Sequence, residues 1–145
     1  MRFLIQRVSR ASVRIEGRPQ ETIGPGLVVL IGIRQTDSKS DADLLAEKLI
    51  RLRIFADADG RMNRSALDVG AELLLISQFT LYADCSRGRR PGFEEAARPE
   101  VANELYEYAV GRIRDSGMVT RTGVFRAHMA VELVNDGPVT ILLES

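Results

Sequence analysis

The sequence predicts an α+β domain, and three observations carry that prediction. Short apolar runs of strand length are bounded by Gly, Pro, Asn and Asp. Two longer stretches repeat apolar residues at helical spacing. Strands and helices do not alternate strictly along the chain, which speaks against a doubly wound parallel sheet. With 145 residues, 45% of them apolar and 28% charged, the chain is most simply one domain, residues 1–145, with a core of its own.

Taken in order, Phe3–Val8 and Ala11–Ile15 read as two paired strands separated by Ser9-Arg10. Glu16-Gly-Arg-Pro19 and Gly24-Pro-Gly26 are turns, and the second leads into a β-branched buried strand over Leu27–Ile33. Helix-start residues occupy Asp37–Ser40, with Ser40 and Asp43 spaced as a capping box. Ala42, Leu45, Leu49 and Leu52 then fall on one helical face as far as about Arg53. Ile54-Phe55 is extended, and Asp57-Ala-Asp-Gly60 is a tight turn, since the further ligands of a calcium loop do not follow.

Leu73–Tyr82 opens as an apolar run suited to a strand buried on both faces. A polar loop, Ala83–Gly92, follows. Pro99 suits a first helical turn, Val101, Leu105, Tyr108/Ala109 and Ile113 line one face, and Gly117 is the stop. Residues 129–134 and 139–143 are the last two strands.

Twenty basic and twenty acidic residues cancel, so the whole molecule has no general pull on polyanions. All the basic residues except Lys39 and Lys48 are Arg, whose planar fork suits phosphate. Arg87, Arg89 and Arg90 cluster in the loop after Leu73–Tyr82, either as a solvated loop or as a phosphate contact. One cysteine, Cys85, excludes an internal disulfide and a Cys-rich zinc site. No run approaches the ~20 apolar residues of a membrane span, and the first residues lack signal-peptide features, so the expected setting is the cytosol with no membrane contact.

Two polar interruptions point to chemistry. Ser77, Gln78 and Thr80, with Phe79 among them, end the apolar run, and buried polar groups need partners or a ligand. The second, Asn135-Asp-Gly-Pro-Val-Thr140, lies between the last two strands, and the two together are expected to form one site. Conventional machinery is thin. His128 is the lone histidine, with no visible triad, and sits where a structural role is the ordinary one. There is no His pair, phosphate loop or dinucleotide fingerprint, so neither metal nor cofactor is expected. An enzyme of this composition works by positioning. Gly137-Pro138 can bring backbone close to a ligand, although Asp-Gly-Pro read alone is a plain turn.

Ser77-Gln-Phe-Thr80 and Asn135-Asp-Gly-Pro-Val-Thr140, in this order and separation, resemble the D-aminoacyl-tRNA deacylase family. The likeness extends to Gln6-Arg7-Val8 with Ala11-Ser-Val13, Gly24-x-Gly26, Arg53-Ile-Phe55, Asp57-Ala-Asp-Gly60-x-Met-Asn63, Arg87-Gly-x-Arg-Pro91-x-Phe93 and Thr122-Gly-x-Phe125 before Met129.

The resemblance implies a barrel-like α+β fold of mostly antiparallel sheets with two or three helices, working as a homodimer with sites at the subunit interface. It implies hydrolysis of the ester joining a D-amino acid, or glycine, to the 3′-terminal adenosine of tRNA. Ser77, Gln78, Phe79 and Thr80 would form the catalytic wall, with amides near Phe79 and Thr80 facing the developing oxyanion. Gly137 and Pro138, joined by a cis bond, would reach into the partner's pocket and exclude L side chains. Arg7, Met129, Asn135, Val139 and Thr140 would complete the substrate-binding set, Arg7 as a brace for the Gly-Pro turn.

Two chemical routes stay open at this stage: Thr80 as nucleophile, or attack assisted by the substrate's own 2′-hydroxyl. So do two other classes, a module that binds the aminoacyl end without cleaving it and an ordinary esterase using His128.

Overall fold

A computed structural model describes all residues 1–145. The strand β1 (Arg2–Arg14) is its spine. Along one edge β1 pairs antiparallel with β2 (Glu21–Ile23) and β3 (Gly26–Gly32), and along the other with β8 (Ala130–Glu144). β3 continues into a parallel ladder with β6 (Glu72–Ser77), and β6 into another with β7 (Thr120–Thr122). The sheet therefore mixes three antiparallel pairings with two parallel ones. It curls until Arg121 of β7 lies 3.7 Å from Glu21 of β2, which nearly closes it into a barrel.

Two helices cover one face: α1 (Lys39–Arg51) and α3 (Pro99–Arg114). Between them in sequence lie a small hairpin, β4 (Arg53–Ala56) with β5 (Met62–Ser65), and the one-turn α2 (Ala66–Val69).

Strand alternation divides β6 between two cores, because successive side chains point to opposite faces. Leu73 and Leu75 join Phe3, Ile5, Leu27, Val29 and the helices' Leu45, Leu49, Leu105 and Ile113. Leu74 and Ile76 join Val8, Val13 and Val28 on the other face, where Met129, Val131 and Leu133 pack over them. The expected strand buried on both sides is present.

Several boundaries differ from the sequence expectation. Phe3–Val8 and Ala11–Ile15 do not pair with each other. They belong to one strand, in which Ser9 and Arg10 are accommodated by a register shift against β8. Likewise the two strands expected at 129–134 and 139–143 are one. Both halves pair with β1, so Asp136–Val139 is a bulge within a strand, not a turn between two.

The run from Leu73 leaves the sheet after Ser77 and coils into a 3₁₀ turn at Phe79–Tyr82. Helix α1 is capped by Ser38, not Ser40: the Ser38 amide and hydroxyl donate to Asp41 at 2.8 and 2.7 Å. On α3, Val101 is exposed while Ala102 and Tyr106 are buried, because the Tyr106 phenol has a backbone acceptor waiting in β6. Short elements β2, β5, α2 and β7 carry too little periodicity to be read from sequence. No helix is long and apolar enough to cross a membrane.

Candidate active site

The first cluster grows out of the end of β6. Parallel pairing with β3 runs as far as Ser77 opposite Ile31, and the Gln78 amide then donates to Ile31 O at 2.7 Å. The chain turns at once, with the Leu81 amide bonded to Gln78 O at 3.3 Å. The amides of Phe79 and Thr80 precede that first internal bond, so they have no carbonyl within the turn. Gly32 makes the turn possible: a Cβ there would stand 2.9 Å from Leu81 Cβ and 3.2 Å from Gln78 O. From the far side, Arg2 donates to Leu81 O at 2.7 Å and lies over the Tyr82 ring at 4.5 Å.

Within the turn, Gln78 Nε2 donates to Thr80 Oγ1. Thr80 is exposed, and no carboxylate or imidazole contacts it. The amide occupies a lone pair on the oxygen, and nothing stands ready to take the hydroxyl proton. Phe79, 57% exposed, leans on Phe93 with ring centroids 4.9 Å apart.

Ser77, Gln78 and Phe79 open onto a cavity of about 600 Å³. Its buried lining comes from Ile31, Ile76, Ala102 and Tyr106, and its accessible lining includes Phe93, Phe125, Arg126, His128 and Met129. The Tyr106 hydroxyl donates to Leu75 O at 3.0 Å, and burial pushes its pKa well above the ordinary 10.0. His128 is not packed into the core: it is exposed at the cavity rim. The arginines 87, 89 and 90 are exposed and make no ion pair. Their hairpin is closed by reciprocal Asp84–Gly92 amide bonds of 2.8 Å, next to Phe93.

The second cluster is the β8 bulge, which loops out opposite Arg7. Asn135 holds it from inside: its Oδ1 accepts from the Val139 amide at 2.7 Å, and its Nδ2 donates to Val139 O at 3.2 Å and Thr140 Oγ1 at 3.1 Å. Gln6 Nε2 also donates to Thr140 Oγ1, at 3.3 Å. Arg7 clamps the outside, with Nε to Asp136 O at 3.0 Å and Nη1 to Ile54 O. Arg7 thus ties the bulge to β4.

Gly137 has φ +138, and a Cβ on it would meet Val139 Cγ2 at 2.8 Å and Arg7 Nη2 at 3.1 Å, so only glycine fits. Gly137-Pro138 is cis, and both residues are exposed while Val139 is buried beneath them.

Within one chain these clusters are apart. Ser77 lies in the row of Ile31, Phe3 and Leu143, and the bulge lies in the row of Arg7. Three strand spacings across and four residues along separate them, on the order of 20 Å. Neither Gly137 nor Pro138 lines the cavity. Of the expected substrate-binding residues, Met129 alone joins the Ser77–Phe79 side. Tyr106 and Arg126 line the cavity without having been expected there. The Tyr106 position is hinted at by its helical spacing from Ala102, Ala109 and Ile113, whereas nothing in the sequence marks Arg126.

Comparison with known proteins agrees with the resemblance. Residues 4–144 match the family model described as D-Tyr-tRNA(Tyr) deacylase. Proteins named D-aminoacyl-tRNA deacylase are 59% identical in Koribacter versatilis (strain Ellin345) and 53% identical in Clostridioides difficile (strain 630). Each alignment covers 100% of this chain and 97% of the relative. Among solved structures, one described as c-Myc DNA unwinding element binding protein superposes with a TM-score of 0.93 at 38% identity, covering 100% of this chain and 99% of that one. A probable eukaryotic D-amino acid tRNA deacylase shares the fold, with a TM-score of 0.86 at 15% identity, covering 99% and 98%. With the model matching nearly end to end and relatives above half identity, this chain belongs to the D-Tyr-tRNA(Tyr) deacylase family.

Proposed function

We propose that residues 1–145 form one deacylase domain, which hydrolyses the ester of D-aminoacyl-tRNA and of mischarged glycyl-tRNA in the cytoplasm as a homodimer. In this reading Gly137 and Pro138 of one subunit complete the Ser77–Thr80 pocket of the other. One observation carries it: two polar motifs about 20 Å apart in a single chain, each exposed, each held rigid, and neither a finished site alone.

The edge of β8 away from β1 pairs with no strand, and Val134 and Leu142 on this strand are 40% and 47% exposed. An unpaired edge strand that exposes large apolar side chains suits pairing with another chain. Chiral choice then follows from stiffness. With Asn135 and Arg7 pinning the bulge, its backbone cannot retreat before an L side chain, and glycine passes because it has none.

For the chemistry, the unpaired Phe79 and Thr80 amides are donors to the ester's developing oxyanion. Thr80 orients instead of attacking, because its oxygen already accepts from Gln78 and no base is near. The 2′-hydroxyl of the terminal adenosine supplies the nucleophile's activation. Incubating the protein with D-tyrosyl-tRNA and L-tyrosyl-tRNA tests the reading. Release of D-tyrosine alone is expected. Binding of both without release would make the protein a recognition module, and equal hydrolysis of both would make it an unselective esterase.

A further inference from the structure

Arg126 stands out on two independent counts. It is the chain's one non-glycine residue with a positive φ, +62, a backbone region that L side chains disfavour. It is also the only arginine, lysine or carboxylate side chain lining the 600 Å³ cavity. It makes no ion pair and no side-chain hydrogen bond within the chain, and it is exposed at the rim.

The surrounding turn is tightly built. The Gly123 amide donates to Leu75 O at 3.0 Å and the Ala127 amide to Val124 O at 3.1 Å, which fixes residue 126 in the left-handed position. Glycine would satisfy that backbone without cost. A long cation held there, exposed beside a cavity lined by no other arginine, lysine or carboxylate, calls for a role outside folding.

We propose that Arg126 grips the phosphate that leads into the pocket, the 5′-phosphate of the terminal nucleotide whose sugar carries the ester. This rests on the reading that the cavity takes the aminoacyl-adenosine end of tRNA. Only one ribose separates the ester from that phosphate, so a group bound at Ser77–Thr80 carries its first negative charge towards the rim. Arg is the side chain whose planar fork matches two phosphate oxygens, and an unpaired one need not break an internal ion pair to do so. The arginines at 87, 89 and 90 stand on a separate hairpin and do not line the cavity. Arg126 is thus a specificity residue that distinguishes the end of a nucleic acid from a free aminoacyl nucleoside.

The test uses a non-hydrolysable probe, 3′-deoxy-3′-(D-tyrosylamino)adenosine, with and without a 5′-phosphate. Affinities for both are measured on the intact protein and on Arg126→Gly and Arg126→Lys. The wild-type protein is expected to prefer the phosphorylated probe by roughly tenfold or more, the scale of one charge-assisted hydrogen bond. Arg126→Gly should lose that preference while unfolding at no lower denaturant concentration, since glycine suits the backbone. Arg126→Lys should keep part of it, and raising salt should erode the wild-type preference while the glycine variant's two affinities stay equal to each other.

A preference that survives Arg126→Gly, or a wild-type protein indifferent to the phosphate, overturns the assignment. Failure of both probes to bind overturns it together with the placement of adenosine in this cavity. Whether the protein is a D-selective deacylase is judged separately, by D-tyrosine release from tRNA.

Discussion

Thr80 and Arg7 show how single side chains divide the work. The Thr80 hydroxyl accepts from Gln78 and faces no base, so its removal should cost orientation and little more. Thr80→Ala is expected to retain deacylation to within about tenfold, the scale of one lost hydrogen bond. A 2′-deoxy terminal adenosine should abolish turnover in wild type and variant alike. Loss of all activity in Thr80→Ala with the 2′-deoxy substrate still cleaved would restore threonine as nucleophile.

Arg7 is different in kind, because its fork satisfies two backbone carbonyls at once, Asp136 O and Ile54 O. Arg7→Ala should destabilise the fold by about 2–3 kcal/mol in denaturant unfolding, and should raise hydrolysis of L-aminoacyl-tRNA as the bulge loosens. Arg7→Lys should recover less than half of the stability, since one ammonium cannot reproduce the planar pair of donors.

At the scale of elements, the cavity depends on the packing of α3 against β6. Tyr106 is the joint: its ring lines the cavity and its hydroxyl donates to Leu75 O. That carbonyl also accepts the Gly123 amide at 3.0 Å, so Tyr106→Phe leaves it satisfied and should cost only about 1 kcal/mol.

The same burial makes the fold sensitive to alkali. Tyr106 is shifted well above 10.0, and desolvation raises Tyr82 to about 12. A phenol whose folded pKa is raised holds its proton longer folded than unfolded. Its contribution is therefore complete below pH 10 and lost as pH climbs through the folded values. Unfolding free energy measured against pH should be level up to about pH 10 and fall beyond it. Tyr106→Phe should make that fall shallower. An unchanged slope would show that the Tyr106 phenol is not the group responsible.

At the scale of the molecule, the proposed function turns on a second copy. β8 is fifteen residues long, yet of all its side chains Val139 alone is fully buried. If each pocket takes Gly137-Pro138 from a partner, defects in the two clusters should complement. Gly137→Ala, whose new methyl collides with Val139 and Arg7, and Phe79→Pro, which removes an oxyanion amide at a turn position that tolerates proline, each lose deacylation. Mixed, unfolded and refolded together, they should regain about a quarter of wild-type activity, because half of the dimers are heterodimers with one of two sites intact. Separately, Leu142→Asp should sediment as a folded monomer without D-selective hydrolysis. A mixture no more active than its components would rule out a shared site.

Local signals in the sequence were enough for the α+β class, the buried strand at Leu73–Ile76, the α1 face through Leu45 and Leu49, and the turn at Asp57–Gly60. Those features are set by spacing and turn chemistry within a few residues. The motifs at Ser77–Thr80 and Asn135–Thr140 were legible for the same reason, as polar breaks in apolar runs. Periodicity could not say that the strand halves flanking residues 136–139 are one strand, since that depends on both pairing with β1. Nor could it bring Arg7 to the carbonyl of Asp136, place Tyr106 under the cavity, or turn Arg126 to its rim. Such contacts join residues many positions apart, and only the register of the curled sheet decides which of them meet.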